Sequence, residues 1–251
     1  MKLFWHELKA EQRVFWRNRE SAVFIFIFPP MLFLLLGAVY DDTISVHGVE
    51  FPAAEVLLAG MIGYGAANTG FAGTAIVLVV RREYAILKRL RSTPLPPAVY
   101  IGAMLVSTLV VFTLQTITLF VLGAVLYDTG APERIGSLAF LVVLGTAAFA
   151  GLGVAAAALI RSAEGASAVV NVILLPMAFL SGAFGGRDYP GVLQALANVL
   201  PLRYFIDLVR AVYLENKGVW SDPRALAVVG AWGIAGALVG ARYFKWEPQA
   251  R

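Results

Sequence analysis

The stretch SAVFIFIFPPMLFLLLGAVY, Ser21–Tyr40, runs for twenty residues without an Asp, Glu, Lys or Arg. At about 1.5 Å of rise per residue, a helix of that length covers about 30 Å, the hydrocarbon thickness of a bilayer. Working outward, five more uncharged runs follow: Val56–Val80, Ser92–Tyr127, Ile135–Ile160, Gly165–Gly186 and Ala225–Ala241. The prolines of Ser92–Pro97 shorten the third, so its helix is expected to begin near Ala98. Hydrophobic residues make up 59% of the 251 residues and charged residues 14%. Mean hydropathy is +0.77. A water-soluble domain carries nearer ~25% charge. The expected fold is therefore all-α and integral to the membrane, with six spans in one transmembrane domain over residues 1–251.

Six spans return the chain to the side on which it started, and Lys and Arg say which side that is. Lys2, Lys9, Arg13, Arg17 and Arg19 precede span 1, and Arg81, Arg82, Lys88, Arg89 and Arg91 follow span 2. Arg161, Arg242, Lys245 and Arg251 fall on the same side. Opposite them stand only Arg134, Arg187, Arg203, Arg210, Lys217 and Arg224. Both termini are expected in the cytoplasm of a plasma or inner membrane. The first twenty residues are too charged for the apolar core of a signal peptide, so span 1 is expected to be retained. The basic balance is read as orientation charge, with no nucleic-acid role.

Several chemistries drop out. Without cysteine there are no disulfides, thiolate metal sites or cysteine nucleophiles. His6 and His47 lie near opposite ends of span 1 and cannot share a metal. There is no G-x-x-x-x-G-K-[ST] phosphate loop, and no set of acids and bases to which catalytic roles can be assigned. Asp41-Asp42 reads as a solvated exit cap, and Glu55 and Glu164 as interface charges. The spans hold no ionisable group near their centres, which weighs against a stand-alone secondary carrier. Their buried polar residues are neutral. Asn68, Gln115 and Asn171 either bond between helices or line a path, and Phe33 and Met177 are placed on the same candidate path. Pro29-Pro30 and Pro176 are either static kinks or a gate.

Three segments lie outside the spans. Residues 1–20 set Phe4, Trp5, Leu8, Phe15 and Trp16 among charges, as an amphipathic helix at the inner surface does. REYAILKRLR, residues 82–91, forms a second short helix before Ser92-Thr93-Pro94, with apolar residues that call for a partner. Tyr189–Leu202 is too short to span and suits an interfacial or re-entrant helix. Pro201–Asn216, with Leu202, Ile206, Val209 and Tyr213 on one face, is expected to lie at the surface. Small-residue stripes at Ala59/Gly63/Ala67, Ala147/Gly151/Ala155 and Gly236/Gly240 are packing faces, within a subunit or between subunits.

This order of segments resembles the type-2 ATP-binding-cassette (ABC) permeases, particularly the drug-resistance and lipid-export group. The family pattern R-E-x-G-T-L-x-R-L-x-x-T-P-L is met at Arg82, Glu83, Leu87, Arg89, Leu90, Thr93, Pro94 and Leu95, with Ala85-Ile86 replacing Gly-Thr. A second motif is met at Phe179, Leu180, Ser181, Gly182, Leu200, Pro201, Tyr204, Asp207 and Arg210. The resemblance implies an exporter of drug-like or lipid-like molecules, and it implies that the chain itself is not an enzyme. ATP and magnesium would be bound by a separate ATPase subunit and no cofactor by this chain. The membrane part would pair with a second copy of itself or a homologous permease, among membrane lipid. Residues 82–92 would be the coupling helix, with Arg82, Glu83, Leu87, Arg89 and Leu90 against the ATPase. Residues 1–20 would be the interface helix and 187–216 the outer gate, which holds Arg203, Asp207 and Arg210; Pro29 and Pro176 in the spans complete the gate residues. A polysaccharide or teichoic-acid permease and a stand-alone carrier or channel remain the competing readings.

Overall fold

A computed structural model describes residues 1–40, 42–46, 48–185 and 189–247. Asp41, His47, Arg187 and the first residues of the expected gate segment lie outside the described residues. Helix α1 spans Lys2–Arg17 and α2 spans Arg19–Val39, with Asn18 between them accepting a hydrogen bond from the Ser21 amide at 3.2 Å. Strands β1 (Thr43–Val46) and β2 (Val49–Pro52) form an antiparallel hairpin that the sequence reading did not anticipate. Then follow α3 (Ala53–Ala66), a π-helical segment (Ala67–Gly73) and α4 (Thr74–Glu83). These three form one continuous span over Ala53–Glu83. Next come α5 (Ile86–Arg91), α6 (Pro97–Tyr127), α7 (Ile135–Leu159) and α8 (Ala163–Leu180). The chain ends with α9 (Gly191–Ala197), α10 (Pro201–Tyr213), a 3₁₀ turn (Val219–Ser221) and α11 (Pro223–Tyr243).

Among the described residues, six helices are long and apolar enough to cross a membrane: α2, the Ala53–Glu83 span, α6, α7, α8 and α11. The Ala53–Glu83 span is 83% buried over its most apolar stretch, whereas α2 is only 17% buried. The second span is thus the axle of the bundle and the first lies at its rim. In lipid, helices are held by close packing and not by hydrophobic burial. The small-residue stripes supply it: a Cβ on Gly151 would lie 2.6 Å from the Gly233 carbonyl, and one on Gly236 2.7 Å from the Leu152 amide. Spans α7 and α11 therefore meet backbone to backbone within this subunit.

Two expectations are corrected. Helix α10 does not lie on the surface: Leu202, Phe205, Ile206, Leu208, Val209 and Val212 are all buried. A Cβ on Gly63 would overlap Cγ1 of Ile206, and one on Gly145 would come 2.5 Å from Cζ of Phe205. Glycines on α3 and α7 thus leave the notches that α10 fills. Helices α9 and α10 meet at 77°. The Tyr213 hydroxyl at the end of α10 donates to the Gly130 carbonyl in the α6–α7 connection at 2.9 Å. The α9–α10 pair dips into the bundle and returns to the face carrying the β-hairpin. Second, 82–91 is not one helix. Arg82 and Glu83 complete α4, and the chain turns at Ala85 (φ 55°) before α5 starts. That conformation strains any residue with a Cβ, which accounts for glycine at this place in the pattern Ala85 departs from.

Candidate functional site

At the basic end of the bundle, α1 is pinned to the second and third spans. Arg81 forks onto Glu11 with bonds of 2.6 and 2.8 Å, and also donates to the Tyr100 hydroxyl at 2.7 Å. Next to Glu11 on α1, Gln12 Nε2 donates to the Ser107 hydroxyl at 2.9 Å and carbonyl at 3.1 Å. Two-pronged arginine–carboxylate pairs fix orientation as well as distance. Burial, and then the neighbouring Glu11 carboxylate, push the Glu7 carboxyl above its ordinary value, with Arg81 and His6 opposing.

Beneath this frame lies a cavity of about 500 Å³. Its walls come from α1, α2, the π-helical segment, α4, α6 and the start of α8. Phe24, Ile25, Ile76, Val77, Met104 and Val111 give it an apolar lining, while Glu11, Glu20 and Arg81 stand at its charged rim. Of the five predicted path residues, it brings together Asn68 and Asn171. Asn68 is 5% exposed. Its Nδ2 and the Thr74 hydroxyl are buried with no hydrogen-bond partner among the described residues. Asn171 is exposed and donates to the Ser167 carbonyl on its own helix at 2.9 Å. The π-helix carries Asn68 and Thr69, and π-helical turns inside α-helices concentrate at functional sites. Nothing in the composition of Ala67–Gly73 announces that geometry.

The other three path residues do different work. Gln115 Nε2 donates to the Ile25 carbonyl at 2.8 Å, and its Oε1 accepts from Thr69 at 3.1 Å. Ile25 stands four residues before Pro29, which has no N–H to offer it. Gln115 supplies that missing bond, as neighbouring helices do for proline in membrane spans. Phe33 is buried edge-on against Tyr127, ring centres 5.3 Å apart. Met177 is buried in α8 away from the cavity.

Of the gate residues, Pro29 is buried within an uninterrupted α2, and Pro176 is exposed on α8. Arg203 and Asp207 are half-buried on α10. Arg210 is buried and donates to the Gly182 carbonyl at 2.9 Å, tying α10 to the turn after α8. Tyr40 at the end of α2 donates to the Phe184 carbonyl in the same turn at 2.7 Å. These bonds, with the Tyr64–Phe184 ring contact at 5.6 Å, close the hairpin half of the bundle.

The five coupling residues divide. Arg82 and Leu87 are fully buried and Glu83 is turned onto the α8 N-terminus, accepting from the Ala163 amide. Only Arg89 and the half-buried Leu90 face outward, beside exposed Tyr84 and Ile86.

Six helices long and apolar enough to cross a membrane among the described residues, with the bent α9–α10 pair packed between them, define a multi-pass membrane protein. The model of the ABC-2 type transporter family matches residues 2–214, and the chain belongs to that family. It is also 26% identical over 163 residues to the probable multidrug ABC transporter permease YbhR of Escherichia coli K12, and equally to its counterpart in strain O157:H7. That match covers 63% of this chain and 44% of the relative, so the chain spans less than half the length of the curated relatives it matches. The match assigns residues 2–214 to the membrane domain of an ABC-2 type transporter.

Proposed function

We propose that this chain is the membrane half of an ATP-driven exporter of hydrophobic or amphipathic molecules, with its basic face in the cytoplasm. Two copies, or this chain and a homologous permease, would pair among membrane lipid above two ATPase subunits. The ATPase docks on α1 and on the outward residues of α5, Arg89 and Leu90 among them. The observation that carries the reading is the cavity: hollow and apolar toward the basic face, with an Asn68 Nδ2 that has no partner among the described residues. An apolar wall with a few convergent polar groups suits a molecule with a greasy body and a polar end. The relative's printed multidrug name supports the same class of cargo. Gentle purification from the native host tests the reading. A stoichiometric soluble subunit with a nucleotide-binding sequence is expected alongside the chain; repeated recovery of the chain alone would sink it.

A further inference from the structure

Arg82 and Glu83 are adjacent, and together they grip both sides of the α7–α8 turn. The Arg82 guanidinium, 1% exposed, donates to the Ala157 carbonyl at 2.8 Å and to the Ile160 carbonyl. Both carbonyls belong to the last turn of α7 and its cap, where helical partners run out and a cation is favoured. The Glu83 carboxylate accepts from the Ala163 amide, the first of α8, where an anion is favoured for the mirror-image reason. Ser162 caps the same helix by accepting from the Gly165 amide at 3.2 Å. The Arg82 guanidinium also sits 5.8 Å from the Phe244 ring centre, just past the end of α11. Two residues further on, the chain reverses at Ala85 and enters α5, whose Leu87 is wholly buried.

We infer that Arg82 and Glu83 are positioning residues that fasten α5 to the α7–α8 turn, and are not contacts to the ATPase. Resting on the reading of α5 as the docking segment, the consequence is mechanical. A push on α5 moves the inner ends of spans two, four and five as one piece. The π-helical segment, just above in the same span, is then the nearest place where the second span can yield. Buried arginine is suited to this work, because its planar fork holds two carbonyls in a fixed relation and stays charged.

The absence of cysteine makes the test clean. Nitroxide labels are placed through Lys88→Cys and Arg161→Cys, both exposed, in the full chain in lipid nanodiscs. The background with Arg82 and Glu83 intact should give one narrow distance. With the co-purified ATPase, that distance should be the same nucleotide-free and vanadate-trapped. Arg82→Ala should widen the distribution about twofold and let the distance change on trapping, while the ATPase stays bound. Arg82→Lys, which keeps the charge but loses the fork, should fall between. Glu83→Gln should widen it less, and serves if Arg82→Ala fails to insert. An unchanged width in Arg82→Ala or Glu83→Gln would overturn the inference. So would loss of the ATPase with the label distance preserved, which would return the pair to the docking surface. If no ATPase co-purifies, the docking reading fails on its own, and the widths measured in the chain alone still decide whether the clamp exists.

Discussion

The two halves of the second span behave differently. Toward the hairpin face, α3 is buried on every side and its glycine notch is filled by Ile206. Toward the basic face, the π-helix and α4 border a cavity of about 500 Å³ and hold two buried polar atoms without partners among the described residues. The same helix is a packed core at one end and a wall at the other. The packed end is where exchange of side chains should cost stability. The hollow end is where it should cost binding.

The largest effect should come from the packed end. Phe205→Ala removes the ring that fills the Gly145 notch and stacks edge-on with Phe149 at 5.6 Å. It should destabilise the detergent-solubilised protein by about 3–5 kcal/mol, read as a lowered unfolding temperature. A shift no larger than that of an exposed substitution would mean α10 is not part of the core. Next comes Gln115→Leu, which strips the Ile25 carbonyl of its partner and should cost about 1–3 kcal/mol. Adding Pro29→Ala restores a backbone N–H and should recover much of that loss, so the two changes should not be additive. Simple additivity would break the link between the proline and the glutamine.

At the hollow end, Asn68→Leu should change stability by less than about 1 kcal/mol, because its Nδ2 has no bond to lose. Binding of a fluorescent amphiphile should nevertheless weaken, and equal loss in both measurements would erase the distinction between the halves. Glu7 gives the smallest effect. Its folded-state carboxyl is raised, so the protonated form is the one folding favours. Its contribution is fully present below the unfolded value and is lost as pH rises through the folded one. Glu7→Gln should flatten that slope, giving a slightly higher melting temperature at neutral pH and no gain in acid.

The six spans were legible because lipid demands long uncharged runs, and the runs begin and end where charges do. The break between α4 and α5 was not. Arg82 and Glu83 read as contacts to an ATPase, yet their partners are main-chain groups at Ala157, Ile160 and Ala163, which no side-chain pattern marks. Helix α10 misled for a related reason. Its polar stripe suggested a surface, but the notches that admit it lie at Gly63 and Gly145, far away in the chain. Among the path residues, Asn68 and Gln115 are chemically alike. What separates them is a proline at position 29 whose orphaned carbonyl one of them reaches.

The proposed function requires the hollow half to open toward the cytoplasm and to hold the cargo. Ser167→Cys puts the only thiol of the chain at the cavity wall, leaving both asparagines in place. Its reaction with a membrane-impermeant maleimide should be fast in inside-out vesicles, slow in right-side-out ones, and slowed by an amphiphile added first. Equal labelling from both sides, or labelling the amphiphile does not touch, would contradict the account.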